Sequence, residues 1–83
     1  MSAPAVRIAE GEGAFVAFDK GVLEVVSPAP FAPGAPLALE VDGRALQAKS
    51  LGSKRQEDDR FRVRMRMINL RREDRLYLES LAD

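Results

Sequence analysis

Every second residue of the run RFRVRMRM, residues 60–67, is an arginine. Arg60, Arg62, Arg64 and Arg66 fall on one side of an extended chain, and Phe61, Val63, Met65 and Met67 fall on the other. Successive side chains of a β-strand point to opposite faces. The spacing therefore predicts a half-buried strand with an apolar inner face and a four-arginine outer stripe. Such a strand needs sheet neighbours, and the stripe needs a purpose: gripping a phosphorylated ligand, meeting an acidic partner, or keeping one face of a sheet wet.

The rest of the chain supplies the neighbours. AVRIA at 5–9 suits a short strand, while Met1 to Pro4 are expected to fray. GEG at 11–13 reads as a turn, and AFVAF at 14–18 as a strand in which Phe15 and Phe18 break strict alternation. DKG at 19–21 is a second turn, and VLEVV at 22–26 is a β-branched strand. SPAPFAPGAP, residues 27–36, holds four of the five prolines, which excludes a helix or a central strand there. It is expected to cross between strands as a stiff loop, with Phe31 turned inward as its anchor. LALEV at 37–41 alternates, with Leu37, Leu39 and Val41 inside. Asp42-Gly43 then marks a tight hairpin, because the glycine supplies the positive φ of a type I′ turn. RALQAKSL at 44–51 returns as a strand, and GSKRQEDD at 52–59 reads as a solvated loop lying beside the stripe.

After Ile68 the period changes. Apolar residues at 70, 77, 78 and 81, with Leu76 adding width, mark one face of a helix. Asn69 is placed to cap its start, and Glu73 and Asp74 suit the first turns. Short antiparallel strands joined by tight turns, followed by one helix, imply a small barrel plugged or flanked by that helix.

Eighty-three residues make one domain with a thin core. The chain has no cysteine and no histidine. Thiolate chemistry, disulfides, the commonest acid–base catalyst and the commonest transition-metal ligand are all missing. The serines have no recognisable activating base, and the chain is short for enclosing a substrate pocket of about 300 Å³ or more, so no enzyme and no cofactor are expected. The opening MSAPAVRIAE lacks the pattern of a secretory leader, and no apolar run reaches membrane-spanning length, so a cytoplasmic location is expected. The formal net charge is zero, yet residues 1–43 carry a net charge of −4 and residues 44–83 one of +4. The two halves either neutralise each other across strand pairs or favour self-association and an oppositely charged partner.

Three stretches in this order resemble the PilZ domain family. GVLEVVSPAPFAPGAPLALEV, residues 21–41, looks like that family's strand, proline-rich crossover and next strand. RFRVRMRMINL, residues 60–70, is similar to its late strand, and REDRLYLESL, residues 72–81, to the helix that closes its barrel. The likeness is particularly to single-domain PilZ-like proteins of gliding bacteria. It implies that residues 1–83 form a single domain, a six-stranded antiparallel PilZ-like β-barrel with one C-terminal α-helix. In typical members it also implies reception of cyclic di-GMP. Those members use an R-x-x-x-R pair in an N-terminal arm and a [D/N]-x-S-x-x-G run before the crossover.

This chain departs from both motifs. With Gly21 in the glycine place, Val16 stands where Asp or Asn is needed and Phe18 where Ser is needed. The arm holds a single arginine, Arg7. Arginine also replaces the family's frequent Ser at Arg71, so Asn69 is expected to take over the capping. The resemblance thus implies a non-enzymatic signalling adaptor that binds another bacterial protein. The candidate interaction residues are Arg60, Arg62, Arg64, Arg66, Arg71, Arg72 and Arg75. The alternative is a cyclic di-GMP receptor with a degenerate site using Arg64, Arg66 or Arg7.

For the stripe itself the plainest reading is a solvated face neutralised by Glu24, Glu40 or the acids at 57–59. Arginine at all four places argues for something more, because its planar fork suits carboxylates and phosphates in a way lysine does not. An acidic protein ranks ahead of a phosphate ligand. Nucleic acid comes last, since zero net charge gives little counterion-release drive.

Overall fold

The computed structural model describes residues 3–82, so the expected fraying of Met1 and Ser2 falls outside the described residues. Six strands precede one helix: β1 (Val6–Ile8), β2 (Gly11–Asp19), β3 (Val22–Ser27), β4 (Pro36–Val41), β5 (Arg44–Arg55), β6 (Phe61–Ile68) and α1 (Arg72–Ala82). They close into an antiparallel barrel in the order β1-β2-β3-β6-β5-β4. Closure leaves β1 and β6 on opposite walls, with two strands between them in either direction around the ring.

Alternation sets the core as the spacing predicts. Leu37, Leu39 and Val41 of β4 point inward, and so do Val63 and Met65 of β6. Leu23, Val25, Val41, Val63 and Met65 are all 0% exposed. Burying an aliphatic side chain of this kind stabilises the fold by about 1.5–3 kcal/mol. The Asp42-Gly43 turn has φ values of 50° and 81°, the double-positive geometry of type I′.

Two strand expectations are corrected. GEG is not a turn but the start of β2, and the chain reverses at Ala9-Glu10, with φ values of 56° and 59°. The glycines serve close approach instead. A Cβ on Gly13 would sit 2.4 Å from the carbonyl oxygen of Val26. Residues 52–55 are not loop either: β5 runs to Arg55, so the connection to β6 is short.

Bulges explain both irregular patterns. The β2–β3 register shifts between Phe15 and Ala17. That puts Val16 outside and lets Phe15 and Phe18 both face inward despite their odd spacing. A second shift, between Ser50 and Gly52, falls at Leu51, which lies on the outer face with Lys49.

Each barrel end has its own closure. The proline-rich crossover lies against β5, where Gly34 N–H donates to Ser50 O at 2.7 Å and Ser50 N–H donates to Ala35 O at 2.8 Å. Phe31 N–H donates to Ser53 Oγ, and its carbonyl accepts from the hydroxyls of Ser50 and Ser53. Phe31 packs against the core, as expected of an anchor. At the other end α1 packs on β2 and drives Leu78 into the barrel at 1% exposure.

The helix begins at Arg72 rather than at Asn69. Asn69 is left-handed, with φ of 52°, which breaks the chain before a helix can start. Arg71 takes the cap position, and its carbonyl accepts from Arg75 N–H at 2.9 Å. Leu76 points to solvent instead of widening the buried face.

Candidate functional site

Arg62, Arg64 and Arg66 project from the outer face of β6, at the centre of the β3–β6–β5 wall. The strand rise spaces them about 6.6–6.8 Å apart in a line. Their neighbours are set by register. Arg62 stands opposite Lys54 of β5, and Arg66 stands opposite Lys49. Like charges directly opposite one another destabilise a sheet, so each of these rows carries a small local cost.

A single carboxylate enters this field. Glu24 of β3 lies opposite Arg64, with one oxygen 3.3 Å from Arg62 Nε and the other 4.0 Å from Arg64 Nε. Its side chain is largely covered while both arginines stay open to water. Arg66, Lys49 and Lys54 have no carboxylate partner among the described residues. Of the neutralising acids expected from the sequence, only Glu24 is in place. Glu40 lies on β4 opposite Arg7, Asp59 pairs with Arg55, and Asp58 accepts from the backbone N–H of Arg60.

Arg60 leaves the stripe. It precedes β6, and its Nη2 donates to the carbonyl of Glu12 at 2.8 Å, tying the β5–β6 connection to β2. Four arginines in the sequence thus become three on the wall, reinforced by Lys49 and Lys54. Sequence periodicity missed these two lysines because the bulge at Leu51 hides the β5–β6 register.

The remaining candidates stand apart from β6. Arg7 is on the opposite wall, so Arg7 and Arg64 cannot grip one small ligand together. Arg71 is exposed and its Nη1 lies 4.0 Å from Glu73. Arg72 and Arg75 are exposed on α1.

Arg71 and Arg7 instead line an open groove of about 640 Å³. Its sides are the outer faces of β1, β4 and β5 and the segment joining β6 to α1. This is more space than the chain length suggests, and it lies outside the barrel rather than within it. In the groove Arg44 Nη1 meets Asp74 Oδ1 at 2.8 Å, and its guanidinium stacks 4.3 Å from the Tyr77 ring centroid. That pair of contacts clamps the β4–β5 hairpin to the helix. Tyr77 lies partly buried against the core, which accords with its expected place on the helix's inner face.

No helix among the described residues is long and apolar enough to cross a membrane. Comparison with family models, with curated proteins and with solved structures gives no match.

Proposed function

We propose that this protein is a PilZ-like, non-enzymatic signalling adaptor whose β3–β6–β5 wall docks an acidic segment of a partner protein. One observation carries the reading: three arginines in line, each flanked by a lysine or sharing the single carboxylate Glu24. A face that only needed wetting would gain from alternating charge. This one keeps like charges in register at a local cost.

Guanidinium forks suit carboxylates in bidentate contacts. An extended segment with a carboxylate at every second residue has the same repeat as the arginines. The wall is built from long paired strands, so little has to be ordered on binding.

The closed six-stranded barrel with its terminal helix is the architecture that the PilZ resemblance implies, which supports a PilZ-like assignment. Against nucleotide reception, Phe18 is buried in the core and Val16 is a bulge residue. Neither offers a side-chain hydrogen bond to guanine.

The test is calorimetric titration of the folded protein with two probes. One is a peptide bearing glutamate at alternate positions, and the other is cyclic di-GMP. The expected result is saturable, salt-sensitive heat with the peptide, lost in the Arg62→Glu/Arg64→Glu double variant, and none with the nucleotide. Tight saturable heat with cyclic di-GMP would instead make this a nucleotide receptor. Absence of peptide heat would return the wall to a solvated face.

A further inference from the structure

The charge difference between the two halves of the sequence becomes a difference between two walls. The β3–β6–β5 wall carries the arginine and lysine rows described above, against Glu24. The opposite wall, centred on β1, carries Glu12, Glu40 and Asp42 around Arg7, all exposed. Register fixes the central row there as Glu12–Arg7–Glu40, so the cation of that row is flanked by an acid on either side, and Arg60 reaches the Glu12 carbonyl from the β5–β6 connection. The basic wall also presents one large apolar residue beside its charges, Leu51, 43% exposed at the β5 bulge.

We infer that one occupant of the arginine wall is a second copy of this chain, docked head to tail with its acidic β1 wall on the basic β6 wall of its neighbour. This inference rests on the docking role of the arginine wall and names the partner. Two features favour a second copy. The two walls are opposite in sign, and they lie on opposite sides of the same barrel. Zero net charge removes the long-range repulsion that keeps most small domains apart.

The contact joins two different patches, so it is heterologous. Opposed walls do not close into a two-fold dimer, and association extends into open chains. The three strands of the basic wall span about 14 Å, and the eight residues of β6 about 26 Å, a footprint of roughly 360 Å². That is far below the ~800 Å² per partner of a stable complex. The association is therefore weak, rapidly reversible and dominated by electrostatics.

Sedimentation velocity tests this. At an ionic strength of about 0.01 M, where the Debye length is about 30 Å, the sedimentation coefficient should rise with protein concentration. At about 1 M, where it is about 3 Å, the protein should sediment as a monomer throughout. The Arg62→Glu/Arg64→Glu variant should remain monomeric alone, because Glu24 and the two introduced carboxylates then cancel Arg66, Lys49 and Lys54, and the β6 wall no longer attracts an acidic one. The Glu12→Lys/Glu40→Lys variant should also remain monomeric alone, with two basic walls. Mixed in equal amounts, the two should associate again. This rescue is what separates wall-to-wall docking from loss of folding, which circular dichroism of each variant checks independently.

A wild-type chain that is monomeric at low salt at every concentration would overturn the inference, as would a mixture that shows no complex. If that monomer still binds the glutamate peptide, docking on the arginine wall stands and only the second copy is excluded. If it binds neither, both readings fail.

Discussion

The β6 wall and the β1 wall are made to different standards. On the first, Val22 to Ser27 pairs without interruption against Arg66 to Phe61, and β5 flanks β6 on its other side from Ile68 to Phe61. On the second, β1 offers only Val6–Ile8, paired at three positions with each neighbour. The C-terminal half of β2 extends past the pairing with β1, and α1 packs against β2. The difference teaches where this small barrel keeps its rigidity: under the cationic surface, on the long strands, and away from the groove.

Equal burial on the two walls should therefore not mean equal cost. Met65 and Ile8 are 0% and 2% exposed, so area alone treats them alike. Truncating a buried Ile or Met to Ala costs about 2–5 kcal/mol. We expect Met65→Ala near the top of that range and Ile8→Ala near the bottom, because the short strand can shift to relieve its cavity. Urea unfolding of both variants measures this. Equal losses, or a larger loss for Ile8→Ala, would break the comparison.

Next in size comes Gly13→Ala on β2, where the new methyl meets the Val26 carbonyl and the side chains of Val6 and Ile8. Backbone cannot retreat as a flexible side chain can, so a loss of about 1–3 kcal/mol is expected. A substitution without effect would show that the β1 wall gives way freely, which sharpens the contrast further than we draw it.

Why one wall was legible in the sequence and the other was not follows from the same geometry. The β6 alternation and the β4–Asp42-Gly43–β5 hairpin are local patterns, and local patterns survive into the fold unchanged. Around β1 the decisive facts are contacts between distant residues. Gly11 and Gly13 look like a turn, but they are strand residues that let neighbouring segments come close. The true reversal, at Ala9-Glu10, carries no glycine to announce it. Arg60 keeps the arginine rhythm and still leaves the stripe, because a carbonyl forty-eight residues away accepts its guanidinium. Bulges at Val16 and Leu51 insert a single residue each, and no composition signal marks them. The same limit applied to the site: Arg62, Arg64 and Arg66 were readable from periodicity, whereas Lys49, Lys54 and the placement of Glu24 depended on register.

A smaller effect probes the clamp between hairpin and helix. Arg44 is part-exposed, so its ion pair with Asp74 contributes modestly, and stacking on Tyr77 adds to it. Arg44→Lys keeps the charge but loses the planar fork. We expect a loss of about 0.5–1 kcal/mol. Amide exchange should localise it to α1 and the β4–β5 turn, leaving Val63 to Met65 protected. Loss of protection on β6 in this variant would mean that the helix and the long wall form one cooperative unit.

The smallest stability change is expected at the centre of the arginine wall. Glu24 attracts Arg62 and Arg64, yet both guanidinium groups are open to water and screened. Pairs of this kind contribute little. Glu24→Gln should accordingly move the unfolding midpoint by no more than about 0.5 kcal/mol in free energy. Its effect on binding should be larger and opposite in sign. Glu24 competes with any incoming carboxylate for the same two arginines, and removing its charge makes the wall more positive by one unit. The glutamate-bearing peptide should bind the variant more tightly than the wild type at low salt, with the gain shrinking as salt is added. A large stability loss with no gain in affinity would identify Glu24 as the counterion of a structural ion-paired face. The like-charge rows on β6 would then be a tolerated cost of solubility, and the long wall would be rigid without being a docking surface.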